Sequence, residues 1–205
     1  MLGCHNKKSG FTLIEILISL LLGSVLLAMV ISLYVTNVTA SAKALKFSRL
    51  RTDLQALVAL MEEDIRRAGY GGNEYMVGAG KAKVIDSINS TTQKCIVYAY
   101  NYDQTDSATT SHFMAFRYSI KNKSVQFGKR VDIQASNCFS SGTWVNLTYP
   151  EFVKVTELSF VESVVSNAQV TIRSVDIHVA AELVANSDYK HQLQTRIQVR
   201  NREFH

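Results

Sequence analysis

FTLIEILISLLLGSVLLAMVISLYV, Phe11–Val35, is a run of 25 residues with a single charge, Glu15. As an α-helix rising about 1.5 Å per residue it spans roughly 37 Å, more than the ~30 Å hydrocarbon core of a bilayer. That length argues for a membrane span rather than the buried helix of a water-soluble domain. It also explains a mean hydropathy of +0.03 in a chain that is 19 % charged.

Around this run the composition sets limits. The 205 residues, 47 % of them apolar, allow one ordinary domain plus an appendage and exclude a disordered chain. Ten Gly and one Pro exclude collagen-like and Pro-rich architectures. The net charge of +5 is modest, and no Lys/Arg cluster is interleaved with aromatic residues, so nucleic acid is not expected as a partner.

On the C-terminal side the helical period continues. Ala40, Ala44, Leu50, Leu54, Leu57, Val58, Met61 and Ile65 recur at spacings of three and four and form one apolar face. The opposite face carries Arg51, Asp53, Glu62, Glu63, Arg66 and Arg67, with Glu62/Arg66 and Glu63/Arg67 at the supportive i, i+4 spacing. Gly69, Gly71 and Gly72 then stop the helix, which we expect to run from Phe11 to Ala68. Beyond them the text turns β-like: Val84–Ile88, Lys94–Tyr102, Phe113–Ile120, Val125–Lys129, Val153–Val164, Val170–Leu183 and Leu193–Arg200 are rich in Val, Ile, Tyr and Phe. Asn122-Lys123 reads as a hairpin link that lacks the usual Gly. A long helix followed by antiparallel strands is an α+β fold.

On the N-terminal side, MLGCHNKKSG precedes the span, and three addressing systems compete for it. A secretory signal has an apolar core of about 7 to 15 residues before an A-x-A-like site. Ala40-Ser41-Ala42 offers the site, but the apolar run is too long. A lipoprotein box is suggested by Leu2-Gly3-Cys4, yet no apolar segment precedes Cys4 to deliver it to a membrane. The third arrangement cuts ahead of the apolar run. Here Lys7-Lys8-Ser9-Gly10-Phe11-Thr12-Leu13-Ile14-Glu15 resembles the processing motif of type IV prepilins and type II secretion pseudopilins: a basic leader ending in Gly, a new N-terminal Phe, and a carboxylate five residues into an uncharged helix.

The resemblance implies that a membrane-embedded prepilin peptidase cuts between Gly10 and Phe11 and N-methylates Phe11. It also implies a partner for Glu15, since a carboxylate in hydrocarbon costs on the order of 3 kcal/mol. That partner is the charged amino terminus of a neighbouring subunit; the alternative for Glu15 is snorkelling to the nearby interface. Counting cations does not orient the span, because Lys43, Lys46, Arg49 and Arg51 lie beyond it while Lys7 and Lys8 precede it. A cytoplasmic N-terminus, a periplasmic domain and later residence in a pilus filament are implied by the motif alone.

Met61–Gly72, MEEDIRRAGYGG, is similar to the PilW group of minor pilins, whose globular domain resembles that of the J pseudopilin of type II secretion. The implied fold is pilin-like: leader 1–10, membrane-spanning and assembly half 11–35, amphipathic half 36–68, and an antiparallel β-rich domain 69–205. The implied partners are the prepilin peptidase, other minor and major pilins, and an inner-membrane assembly platform. With Cys4 in the implied leader and the domain exported, Cys95 and Cys138 are expected to form a disulfide, the alternative being two free buried thiols.

The five His are scattered singly, without metal-ligand spacing, and are expected at surface or strand positions. Asp103 and Asp106 hint at a cation loop but find no third acid at useful spacing. With no nucleophile elbow, catalytic triad order or phosphate loop, we expect neither an enzyme nor a cofactor. The functional expectation is a minor pilin that primes pilus assembly. A type II secretion or DNA-uptake pseudopilin shares its chemistry. The rival from another class is a membrane-anchored binding or adhesive domain using Trp144 and Tyr149 as contact surface.

Overall fold

The stretch Phe11–Ala68 that carries both apolar patterns contains no Pro and one glycine, Gly23, so nothing interrupts the helix. In the computed structural model, which describes residues 10–204, a single helix α1 runs Leu13–Arg67, 55 residues. The chain divides into two units, Met1–Lys46 and Phe47–His205. In the first, residues 10–46 are helix from Leu13 onward and carry no charge between Glu15 and Lys43. The leader residues 1–9, including Cys4, Lys7 and Lys8, lie outside the described part.

In the second unit, α1 buries Leu50, Leu54, Leu57, Val58, Met61 and Ile65, as the spacing predicts. Burying a Leu or Ile fully contributes about 1.5–3 kcal/mol, so this face is the principal attachment of the helix to its domain. Ala40 and Ala44, read as part of the same face, are exposed. An alanine carries too little apolar area to fix a face by itself. Of the two expected ion pairs, Glu63–Arg67 forms. Glu62 instead accepts a hydrogen bond from the Thr195 hydroxyl, a sheet partner that helix spacing could not reveal. At the helix end Gly69 takes φ +74°, and a Cβ there would stand 2.7 Å from Val84 Cγ1. Asn201 Nδ2 donates to the Arg67 and Ala68 carbonyls at 3.2 and 2.8 Å, satisfying acceptors that a helix terminus leaves open.

The strands form two antiparallel sheets. β1 Ile85–Asn89, β2 Lys94–Ala99, β3 Phe113–Ser119, β4 Ser124–Lys129 and β5 Thr143–Asn146 lie side by side in chain order. β6 Val153–Ser166, β7 Val170–Leu183 and β8 Asn186–Gln198 form the second sheet, in which β9 Glu203–Phe204 also pairs with β7. The β3–β4 hairpin places Lys123 at φ +50°, the left-handed position that the missing Gly would have taken.

Strands β2 and β3 are buried on both faces. Ile96, Tyr98, Met114 and Phe116 join the helix in the main core. Cys95, Val97, Phe113 and Ala115 belong to a smaller cluster with Tyr75, Val131, Ala135 and Cys138. The alternation of these two sets along each strand is the period of two that a pleated strand imposes.

Candidate functional site

Every residue from Gly10 to Lys46 is exposed, including Phe11 at 79 % and Leu13 at 78 %. A continuous apolar surface of this extent marks a membrane or an interface with other chains. Within it, hydroxyls turn back onto their own helix. Ser19, Ser24, Thr36 and Thr39 donate to the carbonyls of Glu15, Leu21, Ser32 and Thr36 at 2.8 to 2.9 Å. A helix that satisfies its polar groups internally in this way can sit in hydrocarbon.

The N-terminal end of α1 has a defined local chemistry. Thr12 is its cap: the Glu15 amide donates to the Thr12 hydroxyl at 3.3 Å, and the Glu15 and Ile16 amides reach the Thr12 carbonyl at 3.1 and 3.2 Å. Thr12-x-x-Glu15 has capping-box spacing and sets a carboxylate in the first turn, where the helix dipole favours negative charge. The T-x-x-E spacing is the sequence signal of this cap. Phe11 and Glu15 line one shallow depression with Ile16, Ser19 and Leu20. Gly10 and Phe11 precede the cap, so a cut between them leaves the helix start intact.

In the second unit, Cys95 on β2 and Cys138 after a short 3₁₀ turn are both fully buried and joined as a disulfide, with Cα atoms 6.5 Å apart. Asp64 on α1 accepts hydrogen bonds from the hydroxyls of Tyr98 and Tyr100, each at 3.0 Å. Burial, and then the Asp64 carboxylate, push the Tyr98 phenol well up and Tyr100 up to about 12. Both tyrosines are therefore neutral donors that fasten the helix to β2 and its continuation.

His112 departs from the expectation of a surface or strand residue. It is fully buried in a 3₁₀ turn, with Nε2 2.8 Å from Asp103 Oδ1 and Nδ1 accepting from the Thr109 amide at 2.9 Å. Its ring packs against Tyr75 and Tyr102. Hydrogen bonding to His112 holds the Asp103 carboxyl below its usual range. Asp103 thus pairs with an imidazole, and among the described residues no cluster of His, Cys, Asp and Glu could hold a metal ion.

Trp144, read as a contact residue, is half-buried. The Arg117 guanidinium stacks 3.7 Å from its ring centre and its Nε1 donates to the Ser141 carbonyl at 2.8 Å. Gly128 makes room for it, since a Cβ there would stand 2.7 Å from the indole. Tyr149, in contrast, is 57 % exposed.

Two family models match the chain. One, described as the prokaryotic N-terminal methylation motif, covers residues 5–31, which include Gly10, Phe11 and Glu15. The other, described as prepilin peptidase-dependent protein B, covers residues 43–199, from within α1 through β8. No curated protein and no solved structure matches. With a prepilin-type motif leading into an uncovered apolar stretch of α1, and the Leu50–Ile65 face further along that helix buried in a domain of antiparallel sheets, the chain is a type IV pilin-like protein and belongs to the prepilin peptidase-dependent protein B family.

Proposed function

We propose that this protein is a minor pilin of a type IV pilus. In this reading the prepilin peptidase removes the leader 1–10 by cutting between Gly10 and Phe11, and Phe11 is N-methylated. Residues 11–35 then hold the chain in the inner membrane with its N-terminus cytoplasmic and the domain 69–205 periplasmic, until an inner-membrane assembly platform draws it among other minor and major pilins. Its role is to prime filament assembly, a structural rather than catalytic task.

The observation that carries this reading is the fully uncovered apolar stretch Phe11–Val35, which begins at the processing motif and holds one charge. Assembly exchanges lipid for the packed helices of neighbouring subunits, so apolar contact is kept while its partners change. Glu15 is then the group that cannot be satisfied by apolar packing, and its counter-ion is the N-methylated, still cationic amine of a neighbour's Phe11.

The test is Glu15→Gln at matched membrane levels, read as the amount of this protein in sheared filaments and as the yield of filaments. Cleavage and domain folding should persist, because a neutral residue eases insertion. Filament entry should collapse, because removing one partner of a buried ion pair costs about 3–5 kcal/mol. Entry of the variant at the parental level would refute the role of Glu15.

A further inference from the structure

We infer that the globular domain carries a binding pocket for a carboxylate-bearing saccharide at the β4–β5 edge of the five-stranded sheet. It is an open depression of about 500 Å³ lined by Tyr102, Ser111, Phe127, Lys129, Arg130, Thr143 and Val145. Its floor follows from strand register: Phe127 lies opposite Val145, and Lys129 opposite Thr143, so all four share one face. Tyr102, 48 % exposed, and Ser111 form the wall from the segment leading into β3.

Three observations point to a ligand. First, among the described residues neither Lys129 nor Arg130 has an acidic partner, although both border one cavity. Two cations beside the apolar Phe127–Val145 part of the floor suit an anion that brings an apolar body with it. Second, Arg130 sits at φ +58°, a left-handed conformation costly for a residue with a Cβ, and such strain concentrates at binding sites. Third, the wall is held from behind. The Tyr102 ring lies 4.7 Å from the ring of His112, which is fully buried and tied to Asp103 and Thr109.

The ligand class follows from the lining. Phenol and hydroxyl groups of Tyr102, Ser111 and Thr143 can exchange hydrogen bonds with sugar hydroxyls, the exposed Tyr102 ring can cover the apolar face of a pyranose, and Lys129 and Arg130 can take the carboxylate. An acidic peptide is less well served, because the floor is made of side chains rather than the free main-chain edge that extended peptides use.

The experiment titrates the full chain in detergent micelles with oligogalacturonate, with the same oligosaccharide methyl-esterified, and with an oligoglutamate peptide of equal charge, by calorimetry. Saturable binding of the uronate is expected, with little binding of the ester or the peptide. Lys129→Gln/Arg130→Gln should weaken uronate binding at least about tenfold, the loss of one or more charge-assisted hydrogen bonds. Arg130→Gly should weaken binding while leaving the melting temperature equal or higher, because glycine adopts φ +58° without strain. Absence of saturable uronate binding, unchanged affinity in the double variant, or binding of the peptide as tightly as the uronate would each overturn the inference.

Discussion

Glu203 locks the chain's last strand onto the domain, and its removal should be costly. It is 3 % exposed and accepts three hydrogen bonds: from the Val84 amide at 2.8 Å, from Arg173 Nε at 2.6 Å and from Arg173 Nη2 at 3.1 Å. The Arg173 side chain is 12 % exposed and, among the described residues, keeps Glu162 at 3.1 Å once Glu203 is gone. Replacing Glu203 by Ala therefore leaves a part-buried guanidinium with Glu162 as its remaining carboxylate and strands the buried Val84 amide. Breaking a buried ion pair costs about 3–5 kcal/mol, and the unpaired amide adds roughly 1–3 kcal/mol unless water reaches it. Glu203→Gln should cost less, because its carbonyl oxygen still accepts from Val84 and Arg173. The assay is urea unfolding of the full chain in detergent micelles, followed by domain circular dichroism. We expect a loss of at least about 3 kcal/mol for Glu203→Ala, with Glu203→Gln between it and the parent. A loss under about 1 kcal/mol for Glu203→Ala would show that β9 opens freely and lets Arg173 hydrate, which refutes the lock.

Two further outcomes follow from the second unit. Cys95 and Cys138 should appear as one crosslinked peptide pair in non-reducing mapping, and Cys95→Ser/Cys138→Ser should lose about 4 kcal/mol through the 43-residue loop that the bond closes; alkylatable thiols in folded protein would contradict this. The raised pKa of Tyr100 makes its unfolded form release its proton first as pH climbs, so its contribution to stability is complete below about 10 and is lost as pH rises towards about 12. Ultraviolet titration of phenolate should show Tyr100 ionising after the exposed tyrosines in the parent and earlier in Asp64→Asn.

The helix and most strands were legible because each carries its own periodic signal. The span is long and nearly uncharged, the Leu50–Ile65 face repeats at three and four, and Val175, Ile177, Val179, Ala181 and Leu183 alternate within a β-branched run, so β7 takes the bounds that the sequence suggests. The misses are short or polar. β5 has four residues and β9 two, too few to show a period, and both are recruited by pairing with a neighbour already in place. β8 begins at Asn186 rather than Leu193 because Asn186–Gln192 is largely polar and hydrogen-bonds along the outer side of β7. The division of the strands into two sheets is likewise a property of pairing that no single strand announces. At the N-terminal site, Gly10, Phe11 and Glu15 stood out because a charge or a glycine beside an apolar run is conspicuous. The burial of His112 was not legible, since it depends on a loop folding Asp103 back across nine residues.

In the proposed function a prepilin peptidase cuts this chain between Gly10 and Phe11, keeping the apolar helix on the mature protein. Intact-mass and N-terminal peptide analysis of the membrane-extracted protein, from cells with and without the peptidase, tests it directly. The expected product is a chain that starts at Phe11 and carries one added methyl on its amino group, and the chain should remain uncut when the peptidase is absent. A start at Met1 in peptidase-positive cells, or at Lys43 after loss of the helix, would contradict it.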